Sequence, residues 1–349
     1  MKKSIVFTGG GTAGHVMPNI AIYEKVKKVF DNVYYIGTEN GIEHAIIKQY
    51  RQIRYYSIDA VKFVRKLTLK NLLIPFKLIN SIKHCKKILK DIKPAVVFSK
   101  GGFVAVPVVI AAASLGIPVV AHESDSSIGL ANKIIYKKCD KMFFSFSEAM
   151  RGYEKKGVYS GSPVRDEFLK SSKGVISVPL NKLLKTILIV GGSLGAKAIN
   201  ECIISNLDKL QDYNVINIVG KGNVRNDIMY PNYHQLEFVN NISDYYKQAD
   251  IVISRAGSNV IFELLALKKP MILIPLPKTI SRGDQIVNAR IFKNKGYAVT
   301  LNQENLTTDL LLLNIKNLIK EKEKYISNMS NSKEVYGVET IYNELMKYI

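Results

Sequence analysis

Apolar and polar positions along this chain alternate between short β-branched runs and longer stretches with apolar residues three or four apart, the periods of buried strands and of the helices that cover them. The first run, Ser4-Ile5-Val6-Phe7, gives way to Gly9-Gly10-Gly11-Thr12-Ala13-Gly14-His15, and a helical pattern begins near Ile20. The same device starts afresh at Thr186-Ile187-Leu188-Ile189-Val190, which enters Gly191-Gly192-Ser193-Leu194-Gly195-Ala196 and then a helix through Ile199 and Ile203. Strand and helix in alternation predict an α/β fold whose parallel sheets are covered by helices on both faces, with ligands at the carboxyl ends of the strands. The length of 349 residues is about twice the ~150 at which one core is the default. Two Rossmann-like domains are therefore expected, 1–161 and 162–349. Linker chemistry at Gly161-Ser162-Pro163-Val164-Arg165 separates them, and the last helix is free to pack back on the first.

Glycines at such turns let backbone N–H groups approach a phosphate, and the helix that follows presents its positive dipole end to the same charge. Gly9-x-Gly11-x-x-Gly14 also satisfies the dinucleotide fingerprint, so a nicotinamide-dependent oxidoreductase has to be weighed. The match is weak: Val33-Tyr34-Tyr35-Ile36 runs into Gly37-Thr38, and Glu39 lies beyond the strand end where a ribose-binding acid belongs. A second phosphate turn in the other half is also more than a single cofactor requires. A third pair, Gly101-Gly102, follows the strand Ala95-Val96-Val97-Phe98, with Lys100 just before it. It reads either as another anion-friendly turn or as a tight strand-to-helix connection without a ligand.

Composition narrows the classes. Phe103 to Ala121 carries no charge over 19 residues, but Gly116 and Pro118 split it into a helix-length piece and a short strand rather than a membrane span. Cys85, Cys139 and Cys202 are scattered and lack C-x-x-C spacing, which predicts neither a disulfide framework nor a zinc site. The apolar run after Lys2-Lys3 is too short for a secretion signal, so a cytoplasmic protein is expected. The net charge of +21 calls for an anionic partner. Ten basic residues and one acid lie between Val61 and Lys93, interleaved with apolar residues at a helical spacing that predicts one apolar stripe, with a kink or loop at Pro75. Such a segment is either an ordinary core-facing helix with a basic back or a surface for an anionic bilayer, docking through Leu72, Leu73, Phe76 and Ile79 with Lys66, Lys70, Lys77 and Lys83. A basic nucleic-acid-binding protein is the alternative to an enzyme, but no recognised nucleic-acid module is present and no nucleic acid is expected.

Taken together, several segments resemble the MurG family. They are Gly10-Gly11-Thr12-Ala13-Gly14-His15-Val16-Met17-Pro18, Lys100-Gly101-Gly102-Phe103, Gly116-Ile117-Pro118-Val119-Val120-Ala121-His122-Glu123 and Gly161-Ser162-Pro163-Val164-Arg165 in the first half. Gly191-Gly192-Ser193-Leu194-Gly195-Ala196, Arg255-Ala256-Gly257-Ser258 and Asp284-Gln285-Ile286-Val287-Asn288-Ala289 follow in family order. The resemblance implies the GT-B glycosyltransferase fold, with two domains facing a cleft. It implies transfer of GlcNAc from UDP-GlcNAc to the MurNAc-pentapeptide carried on undecaprenyl diphosphate, with a peripheral location at the cytoplasmic face of the membrane.

By the same resemblance, the carboxy-terminal half holds the donor. Ser193 and the surrounding backbone meet the diphosphate with Arg165 nearby, and the backbone at Val239 reads the uracil. Glu263, in the run Ser258-Asn259-Val260-Ile261-Phe262-Glu263, takes the ribose hydroxyls, and Gln285 and Asn288 complete the donor site. In the other half Thr12, Ala13, Gly14 and Asp125 face the sugar, and Gly10, Gly11, Gly101 and Gly102 hold the acceptor's diphosphate. His15 is the candidate base, since an imidazole can take a hydroxyl proton near neutral pH, although a helix-start histidine that only bonds backbone fits the sequence equally. Glu123 is a second acid–base candidate. No D-x-D tripeptide occurs, so neither a metal nor another cofactor is expected. Three positions depart from the family: Ala13 replaces a usual glycine, Asp125 a frequent asparagine, and Asp284 the first of a glutamine pair. A UDP-sugar transferase with another acceptor, or a UDP-GlcNAc epimerase, stays open.

Overall fold

The computed structural model describes residues 3–60, 74–170, 174–192 and 195–349. They divide into two compact units, one of residues up to Arg165 together with Tyr336–Ile349, the other Asp166–Val335.

In the first unit the chain forms β1 (Ser4–Thr8), α1 (Met17–Val26), β2 (Asn32–Gly37), α2 (Ile42–Ile47), β3 (Ile53–Ser57), α3 (Ile74–Ile92), β4 (Val96–Ser99), α4 (Ala105–Ser114), β5 (Val119–Glu123), α5 (Leu130–Tyr136), β6 (Lys141–Phe144) and β7 (Gly157–Tyr159). The sheet is parallel, in the order β3-β2-β1-β4-β5-β6-β7. Ile5, Val6 and Phe7 are all buried because helices cover both faces, which is why β1 reads as a continuous apolar run. Phe7 and Phe98, on neighbouring strands, meet edge to face at 5.8 Å. The helix Gly337–Leu345 returns to this unit and buries Ile341 and Leu345 in the same core as Ile20 and Tyr23.

The uncharged stretch is α4 followed by β5, and no helix among the described residues is long and apolar enough to cross a membrane. Pro75 stands at the edge of the described residues, so the kink or loop expected there is not decided by them. The basic segment departs from expectation in which apolar stripe it buries. Ile74, Ser81, Cys85, Ile88 and Leu89 are buried, whereas Phe76 is 68% and Ile79 50% exposed. Tertiary packing chose a face that includes a serine, and left the phenylalanine outside. Lys66, Lys70, Leu72 and Leu73 lie outside the described residues.

The second unit runs α6 (Asp166–Leu169), β8 (Lys185–Val190), α7 (Lys197–Ile204), β9 (Tyr213–Ile218), β10 (Tyr233–Leu236), α8 (Ile242–Gln248), β11 (Ile251–Ser254), α9 (Ser258–Ala266), β12 (Met271–Leu273), α10 (Asp284–Asn294), β13 (Ala298–Thr300), α11 (Thr308–Lys320) and α12 (Lys322–Ser330). Its parallel sheet is ordered β10-β9-β8-β11-β12-β13. Both sheets therefore reverse direction of growth next to their first strand, between β1 and β4 and between β8 and β11. That is the switch point at which parallel sheets open a crevice for a ligand.

Candidate functional site

In the first unit the two glycine turns follow β1 and β4, which pair directly with Thr8 opposite Ser99. The turns consequently touch. Gly102 has φ of +79°, and a Cβ built there would come within 2.6 Å of the Gly10 carbonyl oxygen, so only glycine fits. Around this contact the His15 Nδ1 and Thr12 Oγ1 are 2.9 Å apart. Asn19 donates to the carbonyls of Thr8 at 3.3 Å and His15 at 3.4 Å, and Tyr35 OH donates to the Gly9 carbonyl at 2.7 Å. Ala13 begins a single 3-10 turn through His15, and it is not among the residues with positive φ, so the alanine is accommodated without strain.

Glu43 was not legible as a site residue. It is 0% exposed, and its carboxylate accepts the Gly11 N–H at 3.0 Å, the Thr38 N–H at 3.1 Å and the Thr38 hydroxyl. Burial pushes its pKa up, but those hydrogen bonds outweigh burial and hold it below the usual carboxylate value. The Gly11 N–H is thus already spent on a buried anion, and a phosphate at this turn has to be met by other donors. One sequence signal existed: Glu43 and Ile47 share the core-facing side of α2, where a charged residue needs partners.

His122 and Glu123 close β5 with both side chains buried. Burial drives the His122 pKa well below its ordinary value, with Lys100 adding to the effect, and His122 Nε2 lies 3.2 Å from the Ser145 hydroxyl. Glu123 accepts N–H groups from Asp125, Gly129 and the Asn132 side chain, each at 3.0 Å. Burial, with the Asp125 charge next, raises its pKa, while Lys100 opposes the rise. This geometry makes Glu123 the fastener of the loop into α5. Asp125 is half-buried in that loop.

In the second unit the turn after β8 places Gly192 at φ +87° and Gly195 at φ +75°, with the Gly195 N–H on the Gly192 carbonyl at 2.9 Å. A Cβ on Gly195 would lie 1.9 Å from the Val219 carbonyl oxygen, which Asn200 also engages at 3.0 Å. Ser193 lies outside the described residues. Across the switch point, Gly257 caps α9, so Ser258, Asn259 and Val260 form its positive end. Glu263 stands half-buried further along, while Ile261 and Phe262 turn into the core. Val239 follows β10, half-buried. Gln285, in the first turn of α10, accepts the Leu276 N–H at 3.1 Å, and the buried Asn288 donates to the Ala256 carbonyl at 3.2 Å. Arg165, half-buried, is the last residue of the first unit before the chain crosses.

Two parallel sheets, each with a glycine turn and a helix start at its switch point, are the layout of α/β proteins that bind nucleotides and other phosphates. Residues 5–144 match the Glycosyltransferase family 28 N-terminal domain, and residues 186–341 match the family 28 C-terminal domain. Two relatives bear the name UDP-N-acetylglucosamine--N-acetylmuramyl-(pentapeptide) pyrophosphoryl-undecaprenol N-acetylglucosamine transferase. One, from Clostridium botulinum (strain Alaska E43 / Type E3), is 48% identical over 354 residues, covering 100% of this chain and 99% of the relative. The other, from Clostridium tetani, is 45% identical over 356 residues with the same coverage of 100% and 99%. The crystal structure of Acinetobacter baumannii MurG superposes with a TM-score of 0.77 at 26% identity, covering 99% of each chain. The chain belongs to the MurG family. A UDP-GlcNAc 2-epimerase from Neisseria meningitidis, solved with UDP-GlcNAc, shares the fold at a TM-score of 0.67, 16% identity and coverage of 99% and 100%.

Proposed function

We propose that this chain transfers GlcNAc from UDP-GlcNAc, with inversion, to the 4-hydroxyl of MurNAc-pentapeptide on undecaprenyl diphosphate, the lipid I to lipid II step of peptidoglycan synthesis. The observation that carries this reading is 48% identity over the full chain to a relative named for that transfer. The epimerase likeness, at 16% identity, speaks for the fold alone.

In the proposed reaction the acceptor hydroxyl attacks the anomeric carbon and UDP leaves from the opposite face. His15 takes the hydroxyl proton. For that, its Nδ1 must carry the hydrogen donated to Thr12 Oγ1, which leaves Nε2 as the base; Thr12 then fixes the tautomer. On the donor side the start of α9 and the Gly191–Ala196 turn stabilise the departing diphosphate. Glu263 accepts ribose hydroxyl protons, Val239 backbone meets the uracil, and Gln285 and Asn288 hold the loops that frame the donor. Ala13, Gly14 and Asp125 meet the sugar. The acceptor diphosphate rests at the Gly10 and Gly101–Gly102 backbone.

The acceptor's lipid calls for a membrane surface, and the described part of the basic segment suits one. Phe76 and Ile79 are exposed on α3 beside exposed Lys77 and Lys83, which supports peripheral docking on anionic lipid at the cytoplasmic face. A transfer assay with radiolabelled UDP-GlcNAc and a lipid I analogue tests the whole reading. A labelled disaccharide lipid supports it, and hydrolysis or epimerisation of the donor without transfer rejects it.

A further inference from the structure

Behind the Gly101–Gly102 turn lies a buried charge that the transfer step does not use. Lys100, directly after β4, is only 1% exposed. Its backbone N–H donates to the Thr8 carbonyl at 2.9 Å, and its ammonium donates to the Ser124 hydroxyl. Burial brings the ammonium's pKa down to about 8, against the opposing pull of Glu123 and Asp125. An enclosed cation of this kind is stable only with counter-charges around it. It is also too enclosed to touch a ligand.

Its counter-charges belong to one short loop. Ser124, Asp125 and Ser126 leave β5 at the carboxyl edge of the sheet, beside the turn that Lys100 introduces, and Glu123 ties that loop to Gly129 and Asn132. Glu123 and Asp125 stand two residues apart, with the Asp125 N–H on the Glu123 carboxylate at 3.0 Å. Two acids this close repel each other unless a cation offsets them. We propose that Lys100 is a positioning residue whose ammonium offsets Glu123 and Asp125, so that the loop presents the Asp125 carboxylate as an acceptor for a sugar hydroxyl. The proposal rests on the transfer reading for the sugar, and an ionised carboxylate, which only accepts, selects a hydroxyl donor. Donor and acceptor both carry sugar hydroxyls.

A double-mutant cycle in the full chain tests this, with Lys100→Met, Asp125→Asn and the pair together. Transfer kinetics, calorimetry with UDP and with UDP-GlcNAc, and thermal unfolding are the readouts. Lys100→Met should lower kcat/KM by about tenfold or more, the effect of stranding a charge that has lost its partner. Adding Asp125→Asn should cost less than the two single losses multiplied together, because the repulsion between Glu123 and Asp125 is then gone even though the sugar hydroxyl has lost its carboxylate. A hydroxyl on the donor weakens UDP-GlcNAc binding in Lys100→Met with UDP unchanged. A hydroxyl on the acceptor raises the acceptor KM with both nucleotides unchanged. If Lys100→Met alone fails to fold and the double variant folds, charge offset is supported. Multiplying losses, parallel weakening of UDP and UDP-GlcNAc, failure of both Lys100 variants to fold, or unaltered kinetics overturns the proposal. Parent protein that transfers no GlcNAc fails the transfer reading instead, and the two failures are distinguishable.

Discussion

The glycine turns of the two units start from the same local recipe and are braced by different chemistry. After β1, the turn leans on a buried carboxylate: Glu43 takes the Gly11 N–H, with Lys100, His122 and Glu123 buried in the same unit. After β8, the brace is an amide, Asn200 on the Val219 carbonyl, and the buried Asn288 does the same for the neighbouring loop through Ala256. An amide has no charge to lose, so its contribution does not vary across ordinary pH. The contrast suits a division in which one unit moves a proton while the other holds a nucleotide through backbone N–H groups and helix starts.

The sharpest way to break that division is His15→Ala. Turnover should fall by about two to four orders of magnitude while UDP affinity by calorimetry stays within a few fold. A loss of only a few fold in turnover would leave His15 as a hydrogen-bonding residue of the turn. The mirror experiment in the other unit is Glu263→Ala, which should weaken UDP and UDP-GlcNAc together by about ten- to hundredfold, as expected for a lost charged hydrogen-bond partner. Unchanged UDP affinity with an intact fold would take the ribose away from Glu263.

Glu43→Gln probes the brace itself. Chemical denaturation at neutral pH should show a loss of about 1.5–3 kcal/mol, since an amide cannot accept all the bonds the carboxylate accepts. The sign with pH follows from the lowered pKa. Glu43 contributes its stability above its unfolded value, near the 4.5 of an ordinary glutamate, and loses it as pH falls through the lower folded value. The gap between parent and variant should therefore narrow below that value. A gap independent of pH would mean that the charge is not what braces the turn.

The smallest effect is expected at the membrane. Lys77→Gln should reduce binding to anionic vesicles by about fivefold at low salt, near 1 kcal/mol for one lysine, and by much less at high salt. Phe76→Ser should reduce it at every salt concentration. Equal vesicle binding by parent and both variants would return α3 to the role of an ordinary covering helix.

Much of this organisation could be read from residues close together in the chain. Strand, glycine turn and helix start are local patterns, so the two openings at Ser4 and Thr186 were visible, as were the split of the uncharged stretch and the ordered family segments. Glu43 and Lys100 were harder, because their roles depend on partners 32 and 24 residues away. The stripe expected on the basic helix failed for a related reason. Spacing states which residues share a face, but the neighbour that packs on the helix decides which face is covered.

What the sequence determined by itself was therefore the alternation of parallel strands and helices, the glycines that must stand at the switch points, and the family. Only the tertiary structure decided that the Gly11 N–H is spent on Glu43, that Glu123 fastens a loop, and that Phe76 faces out while Ser81 faces in. Backbone conformation at a turn is set by the residues in it. Which donor is occupied, which charge is offset and which side chain is covered are set by strand order and helix packing, and those bring together groups that the chain holds far apart.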